Sequence, residues 1–224
     1  MSGPAGNDLE PDPCQVSADT FGRLAGGYAT RYFDLPLYDA ALADFAAAIG
    51  PDDGLVLDLA CGPGNVAARL LRARPRLQVL GWDLAPGMVD EARRRVPGAR
   101  FETGDARQVH RLGEAVLDAA AFGFGLSYLP DAAAGDCLRA LFAALRPGAP
   151  LYLSTLTGEP AREGWETGRS GDRVWMARRP VAEVLARVEA AGFELLSHDA
   201  LSSPAQAREV TRDLQLLARR PAAD

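Results

Sequence analysis

The sequence predicts an α/β domain built on a parallel sheet. From residue 55 onward, short apolar runs rich in Leu, Val and Ala alternate with stretches of helical periodicity, the pattern of successive βα units. The first run, Leu55–Leu59, leads into a glycine turn, Gly62-Pro63-Gly64, that opens into a helical pattern at Asn65. The last two runs, residues 193–197 and 213–218, have no helix between them, which implies an antiparallel pair at one sheet edge.

Residues 1–16 hold Gly, Pro, Asp and Asn with little to bury and are expected to be a disordered tail. Residues 17–220 are expected to form a single domain. Its opening stretch, 17–50, reads as two helices that precede the first strand, so they belong to no βα unit and are placed to act as a lid. Phe21, Leu24 and Tyr28 share one face of the first helix, and Gly50-Pro51 stops the second. Strands then follow at 55–59, 77–82, 100–103, 117–122 and 150–155, with helices at 65–73, 86–96, 131–145 and 181–191. Pro86 sits at a helix start and Gly192 caps a helix end. The stretch 157–173, rich in Gly, Glu and Arg, reads as one long irregular loop, and loops of that length tend to carry function.

With 224 residues and 48% apolar content, the chain suits one domain with a full core. A formal charge of −6 argues against a nucleic-acid partner, because neutralising phosphates needs a basic surface. The three cysteines, Cys14, Cys61 and Cys137, are far apart and lack C-x-x-C spacing, which fits a reducing compartment and no zinc site. No basic-then-apolar leader and no run of some 18 apolar residues is present, so a cytoplasmic protein without a membrane partner is expected. Nothing in the sequence fixes the oligomeric state.

The glycine turn allows a ligand to approach the backbone closely, with helix-start N–H groups facing it. Read alone it fits two cofactor classes. Gly62-x-Gly64-x-x-Ala67, with Asp83 some 20 residues on, satisfies the dinucleotide fingerprint of an NAD(P)-dependent oxidoreductase. Asp58-x-Ala60-x-Gly62-x-Gly64 instead resembles motif I of the class I S-adenosylmethionine-dependent methyltransferases. Later segments extend that second resemblance. Val79 to Met88, with Asp83 and Leu84, resembles the family's second motif, whose acid accepts hydrogen bonds from both ribose hydroxyls. Gly104-Asp105-Ala106 resembles the third, whose Asp contacts the adenine amino group. The stretch from Asp118 through Gly123, Phe124 and Tyr128 to Asp131 resembles the fourth, which flanks the methionine end. Leu145-Arg-Pro-Gly148 and Ala190-Ala-Gly-Phe193 are also similar to family features, so the resemblance covers about residues 20–220.

The resemblance implies a Rossmann-like seven-stranded sheet, order 3-2-1-4-5-7-6 with strand seven antiparallel, and helices on both faces. It implies S-adenosylmethionine as cofactor, S-adenosylhomocysteine as product, and Asp58, Ala60, Gly62, Gly64, Asp83, Leu84 and Met88 as cofactor residues. Asp105, Ala106, Gly123 and Phe124 complete that set, with Tyr28 closing over it. Methyl transfer needs alignment and exclusion of water more than a catalytic side chain. His110 and Tyr128 are the candidates for a catalytic role. Tyr32, Tyr128, Trp165 and Trp175 are candidates for the wall of a small-molecule acceptor pocket, suited to a phenol, quinone, amine or secondary metabolite. No metal site is expected. A SAM-binding protein without transfer activity remains open, since an acceptor pocket leaves no fixed motif.

Overall fold

A computed structural model describes residues 11–168, 171–203 and 211–223. The helix α1 (Pro13–Tyr32) and the helix α2 (Asp39–Ala48) precede the sheet, joined by a 3-10 turn at Pro36–Tyr38. The alternating part then runs β1 (Leu55–Leu59), α3 (Asn65–Ala73), β2 (Gln78–Asp83), α4 (Pro86–Arg95), β3 (Arg100–Thr103), β4 (Ala119–Gly123), α5 (Asp131–Ala144) and β5 (Pro150–Thr157). A hairpin, β6 (Arg162–Thr167) and β7 (Arg173–Arg178), is followed by α6 (Val181–Ala190), β8 (Glu194–Ser202) and β9 (Arg212–Arg219).

The main sheet has seven strands in the order β3-β2-β1-β4-β5-β9-β8. The first five are parallel, and β9 enters antiparallel between β5 and β8. Setting the hairpin aside, this is the order the family resemblance implies. Alternation along each strand sorts the two cores. Leu57, Leu59, Phe122, Leu151 and Leu153 face α5 and α6, where they meet Leu138, Leu141, Val184 and Val188. Val56, Ala119, Ala121 and Tyr152 face the other way, against Leu42 and Phe45 of α2 and Val66 and Leu70 of α3. Both faces of the central strands are therefore closed to water, which explains why they read as continuous apolar runs.

Two expectations are corrected by the structure. The first helix begins at Pro13 rather than at Ser17, so the end of the expected tail is helical; residues 1–10 lie outside the described residues. Asp12 caps this start by accepting from the Cys14 N–H at 3.0 Å, and Pro13 fills the first turn, where a missing N–H costs nothing. The stretch 157–173 is not one irregular loop. It contains β6, which pairs with β7 in antiparallel register, Trp165 opposite Trp175.

α1 lies across the C-terminal edge of the sheet and packs on α4 through Ala18, Ala25, Ala85 and Met88. The approach is close at Gly87, where a Cβ would sit 2.3 Å from the Gly22 carbonyl oxygen. Thr20 donates to the Arg173 carbonyl at 2.8 Å, and the Trp175 N–H donates to Ser17 Oγ at 2.8 Å. The hairpin thus holds α1 from the other side.

Candidate functional site

The chain ends of β1, β2 and β4 meet where the strand order reverses, the position at which open α/β sheets bind ligands. A cavity opens there, about 760 Å³ including its mouth, with α1 as its roof. Its floor is the glycine turn. Ala60 and Gly62 line it, and both have positive φ, 54° and 52°. For Gly62 that conformation is free; for Ala60 it carries a cost of about 1–3 kcal/mol, which persists only where the surroundings dictate it. Gly64, at φ 88°, caps the start of α3. It does not line the cavity but packs where a Cβ would press on Val96, Phe101 and Ala92.

Three acids stand at the strand ends. Asp58 is buried beneath the turn. Its Oδ2 accepts from the Ala67 N–H at 3.1 Å and its Oδ1 is buried without a hydrogen-bond partner. Burial pushes its carboxyl up to about 7. Asp83 lines the cavity with each oxygen anchored, Oδ2 by the Gly62 N–H at 2.8 Å and Oδ1 by the Ala85 N–H at 2.9 Å. A carboxylate oxygen accepts more than one donor, so each keeps capacity toward the cavity. Burial raises this carboxyl too. Asp105 lines the cavity and caps the following 3-10 turn through the Arg107 N–H at 2.9 Å. Its side chain is gripped by Arg107, whose Nε lies 3.0 and 2.9 Å from the two oxygens. The other edge of the same guanidinium holds Asp12, at 3.0 and 2.7 Å. The cap of α1 is therefore tied to the acid of the third strand, and Arg107 holds the Asp12 carboxyl below its usual range.

The far wall comes from the segment after β4. Phe124 is left-handed at φ 60°, and it lines the cavity with Gly123, Gly125, Tyr128 and Leu129. Gly125 admits no side chain, since a Cβ would lie 2.3 Å from the Phe122 ring. The Phe21 ring meets Tyr128 edge-on at 4.9 Å and Tyr28 at 5.9 Å, so aromatic faces close the gap between roof and wall.

Of the expected cofactor residues, Tyr28, Ala60, Gly62, Asp83, Leu84, Met88, Asp105, Ala106, Gly123 and Phe124 all line this one cavity. Asp58 and Gly64 support it from below. Tyr128 lines it as well, but burial drives its phenol far above the ordinary range, which makes it a poor base. His110 does not reach the cavity and is exposed on the turn after Asp105. Tyr32 stacks on Tyr28 at 4.7 Å, outside the lining. Trp165 and Trp175 meet edge-to-face at 5.6 Å within the hairpin, and neither lines the cavity. The sequence reading missed Cys14, Ser17 and Phe21, which enter through α1. It also missed Asp213, a carboxyl buried beside the site. Tyr38 donates to Asp213 at 2.7 Å while its ring packs on Phe124.

Among the described residues no cluster of His, Cys, Asp and Glu is placed to hold a metal ion, and no helix is long and apolar enough to cross a membrane.

Residues 56–148 match the model of a methyltransferase domain family. A trans-aconitate 2-methyltransferase of Enterobacter sp. (strain 638) is 39% identical over 90 residues, 40% of this chain and 35% of that protein. The ubiquinone/menaquinone biosynthesis C-methyltransferase UbiE of Desulfotalea psychrophila is 35% identical over 105 residues, 46% of this chain and 42% of that protein. The chain spans about a fifth to two fifths of the length of the first curated relatives it matches. Among solved structures, the DhpI complex with S-adenosylhomocysteine superposes with a TM-score of 0.69 at 20% identity, covering 95% of this chain and all of that one. Strand order, strand-end acids and glycine turn agree with the methyltransferase domain family whose model residues 56–148 match.

Proposed function

We propose that the protein transfers a methyl group from S-adenosylmethionine to a small neutral or cationic acceptor. The observation that carries this reading is the composition of the cavity: two strand-end carboxylates on one side, an aromatic wall on the other, and a helix over both.

When bound, S-adenosylmethionine supplies an activated methyl group on a sulfonium sulfur. Asp83 fits the ribose diol, since its two anchored oxygens each have room for one hydroxyl. Asp105 fits the adenine amino group, beside Ala106 and Leu129. The unmatched Asp58 Oδ1 beneath the turn is a buried acceptor that a ligand donor or a water would satisfy. The α1 roof and the Phe21, Tyr28 and Tyr128 rings exclude water, which favours a displacement whose charge disperses as it proceeds.

The charge of the lining supports the acceptor class. Asp83 and Asp105 are the charged side chains among the described lining residues; the Arg107 guanidinium that grips Asp105 does not line the cavity. A polycarboxylate such as the one named for the trans-aconitate relatives would find no Arg or Lys among those lining residues to pair with. Aromatic faces suit a planar phenol or quinone, or an amine. No histidine lines the cavity, so the acceptor is expected to be reactive without a strong base. An NAD(P)-dependent oxidoreductase would leave Asp105 and the β8–β9 pair without a role.

Isothermal titration tests the cofactor: S-adenosylhomocysteine should bind and NADH should not. Labelled S-adenosylmethionine offered with phenols, quinones, amines and trans-aconitate tests the acceptor. Transfer to trans-aconitate in preference to the others would overturn the proposed class, and tight cofactor binding without transfer to any of them would favour a binding role.

A further inference from the structure

The aromatic wall is built on a turn that the backbone does not favour by itself. Phe124 is left-handed, and residues Gly125–Tyr128 follow as a single 3-10 turn. Such a conformation survives only where neighbours fix it from several directions. One side is fixed by β5. The Phe124 N–H donates to the Ser154 carbonyl at 2.8 Å, and Ser127 Oγ both meets Thr155 Oγ1 at 2.8 Å and accepts from the Leu156 N–H at 2.9 Å.

The other side is fixed by one residue with no part in the family's motifs. Arg179 follows β7 directly and is 3% exposed. Its guanidinium donates from Nη1 to the Leu126 carbonyl at 3.1 Å and from Nη2 to the Leu129 carbonyl at 3.0 Å. Nε donates to Asp131 Oδ1 at 2.9 Å, at the start of α5. Three donors of one rigid fork thus span the turn from Leu126 to the helix that follows it. Lysine could not reproduce this, because an ammonium lacks the fixed fork.

We propose that Arg179 is a positioning residue for the cofactor cavity, holding the turn so that Phe124 and Tyr128 form its wall. The inference rests on the reading of that cavity as an S-adenosylmethionine site. It also gives the hairpin a function, since β7 meets α1 through Ser17 and Thr20 and then delivers Arg179 to the wall. Roof and wall are thereby held by one strand.

The test compares Arg179→Met and Arg179→Lys with Arg220→Met. Arg220 is a matched control: its Nη1 donates to the carbonyls of Phe142, Ala143 and Leu145 at the far end of α5, away from the cavity. S-adenosylhomocysteine affinity is measured by titration at a temperature where each variant is folded. Amide exchange of residues 124–130 is followed by mass spectrometry. Arg179→Met should weaken S-adenosylhomocysteine binding at least tenfold and accelerate exchange in 124–130, with Arg179→Lys in between. Arg220→Met should lower the melting temperature yet keep the Kd within twofold and the 124–130 exchange unchanged. An Arg179→Met protein with wild-type Kd overturns the proposal, and if that variant does not fold, Arg179→Lys with wild-type Kd and wild-type exchange does so instead. Absence of binding in the unaltered protein would defeat the cofactor reading, while the exchange comparison would still decide whether Arg179 holds the turn.

Discussion

Asp83→Asn separates cofactor recognition from local structure, because the carboxylate serves both. In the folded protein each oxygen already accepts a backbone N–H, from Gly62 and from Ala85. An Asn side chain keeps the volume but turns one oxygen into a donor, so one of those N–H groups faces another N–H. That loss should lower stability by about 1–3 kcal/mol, the range for a stranded buried polar group. On the cofactor side, one ribose hydroxyl loses its acceptor and the other keeps only a neutral one. Hydrogen bonds to charged groups contribute about 1.5–3 kcal/mol each, so the Kd for S-adenosylhomocysteine should rise roughly 10- to 150-fold. Titration calorimetry well below the melting temperature reads the binding term, and thermal denaturation without ligand reads the structural one. A lowered melting temperature with a Kd within twofold of the unaltered protein would refute the assignment and leave Asp83 as a brace for the glycine turn alone.

The remaining predictions concern the roof and the buried acids. Gly87→Ala should lift α1 from α4, since the new Cβ meets the Gly22 carbonyl oxygen at 2.3 Å, whereas Gly22→Ala finds its nearest neighbour at an ordinary 3.7 Å. The first should therefore cost about 1–3 kcal/mol and speed proteolysis within α1, and the second should do neither; equal behaviour of the two would refute the packing argument. The ligand-free protein should be more stable near pH 5 than at pH 8. Asp58, raised to about 7, and Asp83 and Asp213, raised by burial, bind protons more tightly folded than unfolded, so stability falls as pH climbs from about 4 through 7. Below that window the trend reverses, because Asp12 and Glu91 are held low by their arginines and lose those pairs when protonated. Melting temperatures from pH 4 to 8 check the sign, and a higher value at pH 8 than at pH 5 would sink it.

What could be read from the sequence was whatever depends on neighbours along the chain. Asp58, Asp83 and Asp105 each follow or end an apolar run, and the glycine turn lies between a strand and a helix, so their convergence follows from the βα repeat. The hairpin was hidden because β6, from Arg162 to Thr167, is half-exposed, charged and interrupted by Gly164, and shows no alternation until β7 is laid against it. The helical start at Pro13 was hidden by a proline that marks a break in most contexts and a first turn in this one. Arg179 and Asp213 carry no local signal at all. Their roles exist only once the ends of β7 and β9 reach the turn after β4 and the 3-10 turn before α2.

The order of strands in space also bears on how the chain comes together. β9, the final strand of the sheet in sequence, sits inside it, between β5 and β8. Until residues 212–219 insert, β5 presents an unpaired edge of eight residues and β8 has no neighbour in the main sheet. A growing chain can complete the cavity lining, which runs from Cys14 to Leu129, long before its sheet can close. The slow step of folding is then expected to be this late, non-local insertion, and the exposed β5 edge is the place where two incomplete chains would pair with each other.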